Sequence, residues 1–159
     1  MKKLLFLTLF SLTAFTISSC MKTSDTEATN QVQQANQDDL SIKAYLAAHP
    51  EINNVKDTLG VYYQIITPGV GAYPTDDTII NATYTGSLLN GTAFETNATL
   101  KQYLKNLIYG WRIVLPHVSL GSKILMLIPS RYGYGAAGSG TIPPNAVLIF
   151  NVDLTAPGA

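Results

Sequence analysis

The sequence predicts an α+β fold in which antiparallel strands are joined by turns and accompanied by one short helix. Turn signals occur at Pro68-Gly69 and Asn90-Gly91, between strand-forming runs. The last run, Ala146 to Leu154, places every second residue from Leu148 onward on one apolar face, as a half-buried strand does. The helix is expected from Gly110 to about His117, because a proline near its end limits it to about two turns.

The N-terminus has the three parts of a secretory signal. Lys2 and Lys3 precede an apolar run that extends to Ile17, and two serines follow before Cys20. The apolar run is too short for a comfortable membrane span. We therefore assign residues 1–19 to a signal peptide, which leaves room in the 159-residue chain for one globular domain.

Cys20 is the only cysteine, so no intramolecular disulfide is possible. The run Ile17-Ser-Ser-Cys20 resembles the lipobox of bacterial lipoproteins, in which the cysteine is lipidated after cleavage. The resemblance implies a protein of the bacterial cell envelope that is anchored to a membrane through Cys20. The alternative is an ordinary secreted protein without an acyl chain.

Residues 20–39 are polar, with almost nothing to bury, and predict a flexible tether between the anchor and the domain. Removal of Lys2 and Lys3 from the ten basic residues leaves eight against ten acidic residues, a formal charge of −2. This balance indicates no basic surface for nucleic acid. The two histidines and the anchor cysteine offer no plausible metal site, and no cofactor is expected.

A short helix is predicted from Ser41 to Ala48, with Leu40, Tyr45 and Leu46 available for one face. Alone it is too short to be stable, so it must pack against another element. Together with a connector it occupies residues 40–59.

The strand-like run Lys123–Ile128 is apolar on both faces. If its even-numbered residues face the core, Leu125 and Leu127 need another cover. The predicted N-terminal helix is the nearest candidate, and a partner protein is the alternative.

The segment Tyr132–Pro144 is a glycine-rich loop with two tyrosines. Its run Gly133-Tyr-Gly-Ala-Ala-Gly138 fits the G-x-G-x-x-G pattern of dinucleotide-binding turns, which requires a helix to begin at the last glycine. Gly140 and the Pro143-Pro144 pair prevent such a helix, which argues against a nucleotide site.

Beside the loop Tyr132–Pro144, six motifs of this chain occur in the order and with nearly the spacing of one protein family. They are Val61-Tyr-Tyr-Gln-Ile-Ile-Thr-Pro-Gly-Val-Gly71, Ala82-Thr-Tyr-Thr-Gly86, Leu89-Asn-Gly-Thr-Ala-Phe-Glu95, Leu107-Ile-Tyr-Gly-Trp111, Leu120-Gly-Ser-Lys123 and the closing strand Val147–Leu154. Together they resemble the FK506-binding-protein (FKBP) family of peptidyl-prolyl isomerases. The resemblance implies a domain over residues 60–159 in which the antiparallel sheet wraps around the short central helix.

The resemblance also implies which residues form the site. Trp111 would be the floor for a proline ring, with walls from Tyr84, Phe94 and Phe150, and Tyr134 would offer its hydroxyl to the substrate. The further residues it implies are Leu107 and Ile108 at the edge, with the Ile108 amide holding a substrate carbonyl, Ile142 on the loop side, and Glu95, which stands where the family usually has Asp. For any one strand aromatic considered without the family, plain core packing is the commoner role.

The implied activity is peptidyl-prolyl cis-trans isomerisation that assists the folding of exported proteins. The partners expected from it are proline-containing polypeptides, with macrolides as possible inhibitors. Glu95 and the absence of a following arginine before Arg112 keep open a non-catalytic peptide-binding module or chaperone. A structural subunit of an envelope complex is a further alternative.

Overall fold

Six strands form one antiparallel sheet, in agreement with the predicted fold class. The computed structural model describes residues 22–155, so the predicted signal peptide and Cys20 lie outside the described residues. The strands are β1 (Lys56–Thr58), β2 (Val61–Thr67), β3 (Ile79–Leu88), β4 (Ala93–Tyr103), β5 (Lys123–Ile128) and β6 (Leu148–Leu154), in the order β1-β2-β5-β6-β3-β4. Two α-helices accompany them, α1 (Lys22–Ala48) and α2 (Tyr109–Val114).

The main core lies between the sheet and α2. Alternate residues of β6 are buried there, as the period-two pattern predicted, together with the even-numbered residues of β5. From α2 and the turn after it, Trp111, Val114 and Leu115 complete this cluster. The central helix is short, as expected: α2 gives way to a 3-10 turn at Leu115–His117, whose second residue is Pro116.

The opposite face of β5 is covered by α1. Leu125 and Leu127 form a second apolar cluster there with Ile42 of α1, and Tyr45 and Leu46 pack against it. The prediction that the N-terminal helix covers these two leucines is confirmed. The predicted contact residues were partly wrong. Leu40 is exposed to solvent, and Ile42 contacts the sheet instead.

The helix α1 is much longer than the sequence suggested. It begins at Lys22, so the stretch assigned to a flexible tether continues the helix that was expected to start at Ser41. Side-chain pairs four residues apart support this polar stretch, including Gln34 with Asp38 and Asp39 with Lys43. An amphipathic stripe is not required when such pairs stabilise the helix, which explains why composition alone was misleading.

The sheet also begins earlier than the predicted boundary at Gly60, because β1 pairs with β2 across a tight turn. Among the residues that the structure describes, no helix combines the length and apolar character needed to cross a membrane.

Candidate functional site

A cluster of four aromatic rings lies where α2 faces β3, β4 and β6. Trp111 is at its centre and only 2% exposed. Its ring centroid is 5.5 Å from that of Tyr84 and 5.5 Å from that of Phe150, both in edge-to-face geometry. Tyr84 and Phe150 are 5.9 Å apart, and Phe94 lies 5.7 Å from Phe150. Four residues that are distant in sequence therefore form one apolar cluster, which is continuous with the main core.

The sheet positions these rings through its register. Tyr84 pairs with Val152 and Gly86 pairs with Phe150, so β3 and β6 bring their aromatic residues side by side. Trp111 reaches them from the first turn of α2, whose amide hydrogen bonds run back to the carbonyl of Ile108. Each aromatic residue of the cluster thus comes from a different regular element.

Gly86 is a part of the site that the sequence analysis did not single out. A Cβ atom at this position would lie 2.3 Å from Cε2 of Phe94 and 3.1 Å from Cε1 of Phe150. The absence of a side chain therefore lets the Phe94 ring lie directly over β3. A glycine inside a strand is the sequence signal that marks such a close approach.

The pairing of β3 with β4 slips next to this glycine. Tyr84 faces Ala98, Gly86 faces Glu95 and Ser87 faces Ala93, so the register changes twice within a few residues. Such bulges interrupt the strict alternation of side chains and redirect them. In this chain the irregular stretch carries Phe94 and Glu95, two of the residues expected in the site.

The polar groups of the site lie at the edge of the aromatic cluster. The Glu95 carboxylate lies near the Tyr84 hydroxyl and interacts with it. Burial first, and then the interaction with the Glu95 carboxylate, raise the pKa of Tyr84 well above its ordinary value of 10.0. Burial and the same carboxylate also raise the pKa of Tyr134, which places its hydroxyl in the electrostatic range of Glu95. Both tyrosines are therefore neutral hydrogen-bond donors at physiological pH.

Leu107 and Ile108 are half-buried residues that lead into α2. The Ile108 carbonyl accepts the amide N–H groups of Trp111 and Arg112 at 3.0 and 3.4 Å. This cap fixes the orientation of the chain immediately before Trp111. Leu107 and Ile108 pack against the same core cluster as the aromatic rings.

The loop after β5 supplies Tyr134 and Ile142. Tyr134 is 37% exposed and lies between two 3-10 turns, Ser130–Tyr132 and Gly135–Ala137. Ile142 is buried, and its amide and carbonyl groups bond to those of Ser139 at 2.8 and 3.0 Å. No helix begins at Gly138, which has φ +66°, so the structure agrees with the rejection of a nucleotide-binding turn.

Two further residues of β4 lie outside the aromatic cluster. Tyr103 is 42% exposed at the end of the strand, and Leu100 packs against the main core. Arg112 bonds Asp76 at 3.5 Å and lies over the ring of Tyr109. Within the described residues, no group of three His, Cys, Asp or Glu side chains could hold a metal ion.

Two comparisons of sequence place this chain among known proteins. Residues 71–155 match the family model for FKBP-type peptidyl-prolyl cis-trans isomerases. The isomerase FkpA of Aeromonas hydrophila is 38% identical over 117 residues, which cover 70% of this chain and 44% of that protein. FK506-binding protein 1 of Saccharomyces cerevisiae is 36% identical over 97 residues, which cover 56% of this chain and 85% of that protein.

A comparison of structures agrees with the sequence matches. The crystal structure of a peptidyl-prolyl cis-trans isomerase from Pseudomonas syringae superposes with a TM-score of 0.65 at 28% identity, covering 78% of this chain and 92% of that one. The chain thus spans nearly the whole of some relatives but less than half of the Aeromonas FkpA.

Proposed function

Since this chain belongs to the family of FKBP-type peptidyl-prolyl cis-trans isomerases, we propose that its aromatic cluster catalyses rotation about the peptide bond before proline. The observation that carries the proposal is the position of Trp111 between Tyr84 and Phe150, both 5.5 Å away. A proline ring is apolar and compact, and an aromatic slot of this kind can hold it without charged groups.

The reaction needs no nucleophile. Rotation about the amide has a barrier of about 18–20 kcal/mol, because resonance is lost in the twisted state. Binding the proline ring against Trp111 removes water from the amide and holds one side of the bond. The remaining chain can then rotate, and only interactions that favour the twisted geometry over the planar one accelerate the reaction.

Donor groups at the edge of the cluster supply such interactions. In our proposal the Tyr134 hydroxyl and the Ile108 amide bond carbonyl oxygens of the substrate, while Ile142 and Leu107 confine the chain on either side. In the same proposal Glu95, which stands where the family usually has Asp, keeps the nearby Tyr84 hydroxyl protonated.

An exchange measurement by NMR on a short peptide with one X-Pro bond tests the activity. We expect catalytic amounts of the protein to accelerate cis-trans exchange. A macrolide that inhibits this family of isomerases should abolish the acceleration. Binding of the peptide without acceleration would replace this proposal by the non-catalytic binding module, which the same aromatic slot could also support.

We further propose that the protein acts on exported polypeptides in the bacterial cell envelope, anchored through a lipidated Cys20 after removal of residues 1–19. The resemblance of Ile17-Ser-Ser-Cys20 to a lipobox supports this. The helix α1 begins at Lys22, so in this proposal the lipidated cysteine would lie close to the N-terminal end of that helix.

Replacement of Cys20 tests the anchor. We expect Cys20→Ser to shift the protein from the membrane fraction to the soluble fraction, or to leave the signal peptide uncleaved, because acyl chains would supply the membrane affinity. The measurement is fractionation with and without detergent, together with the mass of the mature N-terminus. A correctly cleaved Cys20→Ser variant that still requires detergent would rule out lipidation as the anchor.

A further inference from the structure

A buried carboxylate connects α1 to the loop that carries Tyr134. Asp38 is 2% exposed, although carboxylates are seldom fully buried. Its Oδ2 accepts two hydrogen bonds from Ser130, one from the backbone N–H at 2.8 Å and one from the hydroxyl at 2.7 Å. Its Oδ1 accepts the side-chain amide of Gln34 at 2.7 Å.

These bonds satisfy a group that would otherwise be costly to bury. A carboxylate removed from water is tolerated only where hydrogen-bond donors replace its hydration. Here two of the three donors belong to one residue, Ser130, which is 92 positions away in the sequence. The contact of α1 with the sheet is made by other residues, the apolar cluster around Ile42 and the bond from Tyr62 to Asp39, so the bond to the loop is a separate feature.

Ser130 opens the segment that leads to Tyr134. It begins a 3-10 turn in which the carbonyl of Ser130 accepts the N–H of Gly133 at 3.0 Å. Arg131 of this turn bonds the Leu59 carbonyl at 3.2 Å and lies 4.5 Å from the ring of Tyr132. Arg131 is thus held by the connection between β1 and β2, and Ser130 is held by α1.

The turn also touches the helix that carries Trp111. The ring of Tyr132 lies 5.6 Å from that of Tyr109, the first residue of α2. Tyr134 follows two residues later, between this turn and the next one. A displacement of the turn would therefore move Tyr134 relative to the aromatic cluster.

We propose that Asp38 is a positioning residue for the isomerase reaction, which holds the start of the Ser130–Pro144 loop so that the Tyr134 hydroxyl lies at the substrate. The proposal rests on the function given above. It assigns α1 a part in catalysis in addition to its cover over the sheet, although α1 supplies no residue to the aromatic cluster.

The neighbouring residue provides a matched control. Asp39 is also a carboxylate of α1 that bonds the domain, but it accepts the Tyr62 hydroxyl of β2 at 2.7 Å and pairs with Lys43 at 2.8 Å. Asp39→Ala therefore weakens the attachment of α1 to the sheet without removing a bond to the loop. Asp38→Asn is the conservative variant, because its amide oxygen can still accept from Ser130.

The experiment measures kcat/KM on an X-Pro peptide in the full chain, well below the melting temperature. We expect Asp38→Ala to lower kcat/KM about tenfold, since small misplacements of catalytic groups are costly. Asp38→Asn should recover most of this loss, and Asp39→Ala should stay within about twofold of the unaltered chain. Equal losses in Asp38→Ala and Asp39→Ala would overturn the proposal, because helix docking alone would then explain them.

A double-mutant cycle with Tyr134→Phe separates positioning from general stability. If Asp38 acts through the Tyr134 hydroxyl, Tyr134→Phe should lower kcat/KM much less in the Asp38→Ala background than in the unaltered chain. Independent, multiplicative losses would contradict the proposal.

Amide hydrogen exchange tests whether Asp38 holds the loop without any measurement of activity. An inactive unaltered chain would overturn the proposed function, and exchange would still report whether Asp38 holds the loop. We expect faster exchange across residues 131–142 in Asp38→Ala, or in Ser130→Ala, which removes the hydroxyl donor to Asp38, if Asp38→Ala does not fold, and not in Asp39→Ala. Unchanged protection of this loop would overturn the proposal.

Discussion

The polar residues of the site act through the environment that surrounds them. Tyr84 has a hydroxyl group whose proton is retained because the ring is half-buried and the Glu95 carboxylate lies nearby. Burial and the same carboxylate raise the pKa of Tyr134. Burial together with one exposed glutamate thus favours the neutral form of both hydroxyl groups.

The raised pKa values of Tyr84 and Tyr134 lead to a prediction about pH. Because both tyrosines keep their protons, we expect kcat/KM to be independent of pH between about pH 6 and 9. Above the ordinary pKa of 10.0 the unfolded chain loses protons that the folded chain retains, so the free energy of unfolding should fall as pH rises further. The measurements are a pH profile of kcat/KM and urea unfolding at several pH values.

The control for this profile is Tyr134→Phe, which cannot ionise at that position. A decline in kcat/KM centred near pH 10 that disappears in Tyr134→Phe would show that the hydroxyl ionises at its ordinary pKa. That result would contradict the electrostatic influence of Glu95 on Tyr134.

At the scale of elements, α1 is the unusual feature of this domain. Its second half covers Leu125 and Leu127, so that β5 is buried on both faces. Its Asp38 holds the loop that begins at Ser130. One helix therefore contributes both to the stability of the sheet and, in our proposal, to the geometry of the site.

Two residues of α1 allow the packing to be tested within one turn. Ile42 is fully buried against the sheet, whereas Leu40 is 62% exposed. We expect Ile42→Ala to lower the free energy of unfolding by about 2–5 kcal/mol, since it leaves a cavity between α1 and β5. Leu40→Ala should change it by no more than about 0.5 kcal/mol. Chemical denaturation of both variants provides the measurement, and equal effects would show that α1 does not dock in solution.

At the scale of the whole molecule, much of the fold follows from local patterns. The alternation in β6 and the doubly apolar β5 predicted a core on one side and a cover on the other, with the N-terminal helix as the nearest candidate and a partner protein as the alternative; the structure places the helix there. The spacing of aromatic residues gave no such information without the family motifs, because Tyr84, Phe94 and Phe150 meet only through the register of three strands.

The parts that could not be predicted depend on contacts between distant residues. Residues 22–39 have the composition of a disordered tether, yet α1 includes them, and its pair of Asp38 with Ser130 has no signal in local sequence. The two register shifts beside Gly86 could not be predicted from local sequence either, although a glycine inside a strand is the signal of a close approach. Such features arise from tertiary packing, which overrides local propensity.

The central claim is that the surface around Trp111 catalyses the isomerisation, and one comparison tests it most directly. Exchange rates of an X-Pro peptide are measured with the unaltered chain, with Trp111→Leu, and with Tyr73→Leu as a control at an exposed tyrosine outside the cluster. Leucine keeps an apolar group in the core, and circular dichroism verifies that both variants fold.

We expect the unaltered chain and Tyr73→Leu to accelerate exchange equally, and Trp111→Leu to lose about tenfold or more in kcat/KM, which corresponds to about 1.4 kcal/mol of transition-state stabilisation. A folded Trp111→Leu variant with full activity would contradict the account, as would an unaltered chain that does not accelerate exchange at all.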